Sequence, residues 1–290
     1  MNRIVLVHGI GQQYKGPESL RAEWQPALND GILLAGGAAA STTEIAIAFY
    51  GDLFRPGGRA IGEPDLDASD VTDPFDEELL LAWWTAAASA DPSVPGPDAG
   101  TRVRTPYLIQ RALGALGHSR FFAGIAERAL ILSLRQVRRY FSEPTLRHTI
   151  VQRASACISP HTRVIIGHSL GSVVAYEALC AHPSWAVDTF VSLGSPLGIR
   201  GLVFDRLRPT PSGDRGAWPG QIRTWVNIAD RGDIVATEKR LSQLFGPDVI
   251  DLAVHNGSHA HDVRPYLATR EAGVAIARAI GTDTAADMAE

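Results

Sequence analysis

The stretch Gly167-His168-Ser169-Leu170-Gly171 decides the reading of this chain. It follows a short β-branched run, residues 163–166 (R-V-I-I), and precedes a segment of helical character, residues 172–181 (S-V-V-A-Y-E-A-L-C-A). A serine with glycine two before and two after it, set between a strand and a helix, marks a tight turn. The turn brings strand and helix together so closely that side chains at the flanking positions clash. The turn residue itself carries backbone strain. A helix that starts there aims its first N–H groups outward, where they stabilise developing negative charge.

The same rhythm extends on both sides. Short β-type runs lie at residues 3–7, 44–50, 188–193, 222–228 and 248–254, besides the run at 163–166. Helical patterns fall at about residues 19–34, 144–159 and 264–280. Strands alternating with helices predict an α/β fold, with a mostly parallel sheet of about six strands and helices on both faces. Sites in such sheets lie beyond the carboxyl ends of the strands. Each motif discussed below directly follows an expected strand.

Residues 51–143 break the rhythm and read as a helical insertion within a single domain spanning 1–290, placed as a cap or lid. The insertion opens with a Gly/Pro-rich turn and an acidic loop at residues 63–78. An apolar segment follows at 79–88 (L-L-L-A-W-W-T-A-A-A), then a linker at 91–100 and helical patterns at about 106–116 and 121–141. Arg128, Arg135, Arg138 and Arg139 punctuate the last of these. The apolar residues, Trp83, Trp84, Phe121 and Phe122 among them, are expected to border the site. Asp65, Asp67, Ser69, Asp73 and Asp76 loosely follow a calcium-loop spacing. Asp70 stands where that loop needs glycine and an aspartate where it needs glutamate, so a solvated acidic loop is expected instead.

Composition narrows the function classes. The 290 residues are 45% hydrophobic and 20% charged, ordinary for a globular protein. A net charge of -4 argues against a nucleic-acid partner. Cys157 and Cys180 are too few for a disulfide framework, and buried reduced thiols are expected. The first apolar run is far too short for a signal sequence. No stretch approaches the roughly 18 apolar residues of a membrane-spanning helix. These features predict a cytoplasmic protein, with peripheral membrane contact left open and the oligomeric state undefined. The histidines show no paired spacing for a metal, and none is expected.

Two further motifs complete the pattern. Asp230-Arg231-Gly232-Asp233-Ile234-Val235 follows the run at 222–228, and His255, His259 and His261 follow the run at 248–254. His8-Gly9-Ile10-Gly11 follows the first strand. With the serine turn, a G-x-S-x-G nucleophile elbow, these motifs make the chain resemble the α/β-hydrolase fold family, in its serine esterase/lipase branch. The resemblance covers about residues 1–50 and 143–281 and leaves the insertion unmatched.

What the resemblance implies is a triad in the order serine, acid, histidine. Ser169 matches the nucleophile. Asp233 matches the acid of a D-x-V-P pattern, with Ala236 in place of the proline, and Asp230 is its alternative. His261, just before the last helix, matches the base; His259 is its alternative, and His255 is expected to be structural. The His-Gly-x-Gly segment matches an oxyanion loop, so the backbone N–H groups of Ile10 and Leu170 would be the donors. The Gly194-Ser195-Pro196 turn is expected to shape the pocket wall, and His168 to pack or orient. The implied activity is hydrolysis of a small-molecule ester or lipid without a cofactor. Lipase, phospholipase, thioesterase and acyltransferase chemistry would use the same residues. A catalytically silent binding module on the same fold is the reading from another class.

Overall fold

The structure, a computed structural model, describes residues 2–55, 66–97, 106–119 and 127–281. Six strands form where the β-branched runs predict them: β1 Ile4–Val7, β2 Ile45–Ala48, β3 Val164–His168, β4 Thr189–Leu193, β5 Thr224–Asp230 and β6 Val249–Val254. They make one sheet, parallel throughout, in the order β2-β1-β3-β4-β5-β6. Side chains alternate between the two faces, as the strand pleat requires. Val5, Val7, Ile165, Phe190 and Trp225 enter one core, and Ile4, Leu6, Ile166, Val191 and Ile228 enter the other. Strands β1 to β4 are buried on both faces and read as nearly continuous apolar runs, whereas β6 at the sheet's edge is partly exposed.

Nine helices accompany the sheet among the described residues: α1 Pro17–Leu34, α2 Pro74–Ala90, α3 Pro106–His118, α4 Glu127–Ser142, α5 Pro144–Ser155, α6 Leu170–Ala181, α7 Ser242–Phe245, α8 Val263–Leu267 and α9 Arg270–Ala279. Side chains of α1, α8 and α9 fill the core on one face; those of α2 to α7 fill the other. The single last helix expected at 264–280 is instead two. Thr269 ends the first and caps the second by accepting from the Ala272 N–H, since a threonine oxygen can satisfy an orphan donor at a helix start. Strand β5 runs on to Asp230, two residues past its expected end.

The expected acidic loop is not simply solvated. Asp73 caps α2 and its other oxygen meets Arg138 at 3.2 Å; Asp76 meets Arg138 at 3.0 Å; Asp70 meets Arg135 at 3.1 Å. Carboxylates spaced three apart face arginines spaced three apart, so α4 holds the start of α2 by ion pairs. Burial pushes the Asp76 carboxyl up to about 6 even against the pull of Arg138. Asp65, Phe121 and Phe122 lie outside the described residues, as do residues 98–100 of the linker. A further ion pair joins α5 to α6, and α4 of the insertion adds a hydrogen bond to it. Arg147 of α5 and Glu177 of α6 pair in the interior, and the Tyr140 hydroxyl of α4 donates to Glu177 at 2.7 Å. Among the described residues, no helix is long and apolar enough to cross a membrane.

Strand order places one crevice. From β1 the chain steps one way to β2 and the other way through β3 to β6, so the strand order reverses between β1 and β3. Loops leaving those two strands diverge, and ligand sites of open parallel sheets lie at that point. The loop after β1 carries His8 to Gly11, and the loop after β3 is Ser169.

Candidate active site

Ser169 occupies a turn of a single residue between β3 and α6. Its φ of 52° makes it the one residue other than glycine with positive φ among the described residues. Such a conformation costs on the order of 1–3 kcal/mol and persists only where neighbours enforce it. Here the Ser169 N–H donates to the Leu193 carbonyl of β4 at 3.0 Å. The flanking glycines permit the crossing: a Cβ at Gly167 would lie 2.5 Å from Ser172 Cα, and one at Gly171 would lie 2.2 Å from the Val7 carbonyl oxygen.

His261 sits between β6 and α8, and it meets both partners. Its Nε2 is 3.0 Å from Ser169 Oγ, and its Nδ1 is 2.8 Å from Asp233 Oδ2. Asp233 is buried, which alone would raise its pKa. The neighbouring imidazole, the Tyr266 hydroxyl and the Val235 N–H together outweigh burial and hold the carboxyl down at about 2. An ionised carboxylate only accepts, so His261 Nδ1 carries the proton and Nε2 is left to accept from the serine hydroxyl.

Among the alternatives, the structure brings Asp233 to His261 and turns Asp230 elsewhere. Asp230 ends β5 and accepts from the N–H groups of Gly232 and Asn256, and His255 stands 4.0 Å from it. His255 and His259 are both exposed, and neither meets Ser169. The expectation that His255 is structural finds only that long approach to Asp230.

The loop after β1 is pinned by its histidine. His8 Nδ1 donates to the Gly9 carbonyl at 2.6 Å, and Nε2 accepts from the Tyr50 N–H at 3.1 Å. Acceptance at Nε2 needs a neutral ring, and burial lowers the His8 pKa to about 4. Gln136 of α4 supports the same loop by accepting from the Gly11 N–H at 3.0 Å. The loop and the start of α6 thus border the serine from two sides. The first N–H groups of a helix have no intrahelical acceptor, so that of Leu170 is available to a ligand.

Two of three further contributors escaped the sequence reading, and Gly194 was expected only as part of a turn shaping the pocket wall. Tyr266 accepts from the Asp230 N–H at 2.7 Å and donates to Asp233 Oδ2 at 2.8 Å, so it orients the carboxylate. Gly194 has φ 53°, and a Cβ there would lie 2.6 Å from Asp233 Oδ2 and 3.1 Å from His261 Nδ1. Gln136 is the third. Only Gly194 had a signal, its place in a Gly-Ser-Pro turn after a strand. His168 does orient, as expected. Its ring packs on His261 and Tyr266, and Nε2 donates to the His261 carbonyl at 2.9 Å. Burial and the adjacent His261 lower its pKa to about 3, which keeps it neutral.

The serine opens on two spaces. One is a cleft of about 620 Å³ between the His261 segment, the loop after β1 and α1. The other is an apolar crevice of about 10 Å³ beneath α2 and α4. The insertion therefore borders the site through Leu79, Trp83 and Val137. Trp84, expected there too, faces away: its Nε1 donates to the Pro95 carbonyl at 2.6 Å, and Arg111 lies over its ring. Pro196 of the Gly-Ser-Pro turn lines the crevice, while Ser195 is buried against Ser172 Oγ at 2.7 Å. Clefts of about 890 and 740 Å³ lie elsewhere and do not reach the serine. Among the described residues no cluster of His, Cys, Asp or Glu has the arrangement of a metal site. No protein-family model matches this chain, and no match is found among curated proteins.

Proposed function

We propose that this protein is a serine hydrolase of the α/β-hydrolase fold that cleaves carboxylic esters through an acyl-enzyme. The observation that carries the reading is the unbroken hydrogen-bond path Ser169–His261–Asp233, set where the strand order of the sheet reverses. A serine hydroxyl becomes nucleophilic when a base takes its proton, and the base acts best when a carboxylate fixes its tautomer.

In this reading Ser169 Oγ attacks the ester carbonyl carbon while His261 Nε2 takes the hydroxyl proton. The negative oxygen of the tetrahedral intermediate rests on the N–H groups of Ile10 and Leu170. The bond from carbon to the alcohol oxygen then breaks, and His261 gives its proton to the departing alcohol. Water, deprotonated by the same histidine, attacks the acyl-serine, and the carboxylic acid leaves with Ser169 restored. Asp233 stays ionised throughout and stabilises the imidazolium.

Labelling with a fluorophosphonate followed by peptide mass analysis tests the reading. A single adduct on Ser169, lost in Ser169→Ala, is the expected result. An unlabelled protein, with no ester turned over, would return the chain to the class of binding modules on this fold.

A further inference from the structure

The two spaces that meet at Ser169 differ in size and in chemistry. The larger carries His261, Asp262, Arg264, Lys15 and Glu23 on its wall together with the apolar Trp24 and Val263, and it shares Ile10, Trp83 and Val235 with the smaller. Lys15 pairs with Glu23 at 2.5 Å, and Arg264 with Asp262 at 2.5 Å; all four remain partly exposed. The smaller is enclosed by Leu79, Trp83, Val137, Ile199 and Val203, all of them buried. Among the described residues that line it, none belongs to the His261 segment.

Acyl transfer assigns one half of an ester to each space. His261 must protonate the departing oxygen, so the alcohol lies on the histidine side of the serine. The acyl half then points the other way, past Leu170, which lines the crevice and not the larger cleft. A space of that size holds about one water molecule. The side of it that α2 and α4 form is Leu79, Trp83 and Val137, and α4 is ion-paired to the start of α2. The alcohol side is roomy and offers charged donors and acceptors.

We propose that the substrate is an ester of a short acyl group, about acetyl in size, on a hydrophilic alcohol rich in hydroxyl groups. Leu79, Trp83 and Val137 set the limit on acyl length. The insertion is then a stop for the acyl group and not a channel for a long chain. The proposal rests on the serine-hydrolase reading above.

Two ester series on the full chain test it. In nitrophenyl esters, kcat/KM falls at least about tenfold from acetate to octanoate, because a pocket too small by even one methylene discriminates strongly. In acetate esters, a monoacetylated sugar is turned over faster than octyl acetate. Val137→Ala, a mild truncation, raises the octanoate-to-acetate ratio several-fold, and Leu79→Ala raises it further. Octanoate used as well as acetate overturns the acyl half of the proposal, and octyl acetate preferred over the sugar acetate overturns the alcohol half. Labelling of Ser169 by a small fluorophosphonate separates these results from failure of the underlying reading. A labelled enzyme that prefers long chains or apolar alcohols overturns the substrate class alone. An unlabelled, inactive protein overturns both.

Discussion

The carboxyl edge of the sheet and the inserted helices meet at one serine, yet they are held by different means. At the edge, side chains from the loops after β3, β5 and β6 converge through hydrogen bonds of 2.8 to 3.0 Å. Main-chain N–H groups fix the carboxylate, and histidines pin two loops. The insertion contributes apolar surface packed into the core, with arginine–aspartate pairs between α4 and the region of α2. Polar groups are directional, so the edge sets atoms; apolar packing is not, so the insertion sets a boundary. Gln136 crosses from one region to the other.

The sharpest way to break that division is to remove the proposed nucleophile. Ser169→Ala is expected to leave the fold intact and to lower ester hydrolysis on the order of a millionfold. Hydrolysis of nitrophenyl acetate by purified variant checks it; residual activity above a few per cent would move the chemistry elsewhere. The two aspartates come next. Asp233→Asn should present the wrong partner to His261 Nδ1 and lower kcat about ten-thousandfold, whereas Asp230→Asn should cost less than about tenfold. Equal losses in the two variants would mean that the hydrogen bond to His261 is not what matters.

The two regions should also answer acid in opposite senses. His8 and His168 have pKa values lowered to about 4 and about 3. Each binds fewer protons folded than unfolded, so its contribution is present above the ordinary histidine value and is lost as pH falls toward the folded value. For His8 that loss totals about 3 kcal/mol, at 1.36 kcal/mol per pKa unit. Asp76 in the insertion, raised to about 6, works the other way: its contribution is full below the ordinary carboxylate value and is lost as pH rises through about 6. Urea unfolding at several pH values should show His8→Asn flattening the acid loss of stability and Asp76→Asn steepening it. Parallel slopes for wild type and both variants would show that neither group stays in its buried state.

Two smaller effects probe the insertion alone. Arg138→Ala leaves the buried Asp76 carboxylate without its ion-pair partner and should cost about 2 kcal/mol in unfolding free energy. An unchanged urea midpoint would mean that apolar packing alone seats α2. Gln136→Leu removes the acceptor of the Gly11 N–H and should lower kcat about fivefold, roughly the worth of one hydrogen bond. If KM rises and kcat holds, Gln136 supports substrate binding and not the proposed oxyanion role of the loop after β1.

Much of the sheet was legible before any coordinates. Parallel strands buried on both faces leave apolar runs such as those of β1 and β3, and all six expected runs became strands within a few residues of their expected ends. The elbow was legible because its glycines answer a local steric demand, the contact of Gly171 with the Val7 carbonyl. Local spacing also announced helices in the insertion, but not which residues they present. Trp83 and Trp84 are adjacent and chemically alike, and only packing turned the first toward Ser169 and the second toward Pro95.

The choice between Asp233 and Asp230, and between His261 and His259, had no local answer either. These residues sit three and two positions apart in polar loops of similar composition, so propensity and pattern treat them alike. Their separation comes from bonds across 28 and 92 residues of chain. Strand β5 runs on to Asp230 and directs it to the backbone beside β6; the turn that follows brings Asp233 under Gly194, where a missing side chain leaves room for the imidazole. Chain-local sterics and periodicity thus determine which residue types stand at the sheet's edge. Which of them touch is decided by the closing of long loops over a twisted sheet, and a hydrogen bond's short reach turns that closure into a choice of one atom over its neighbour.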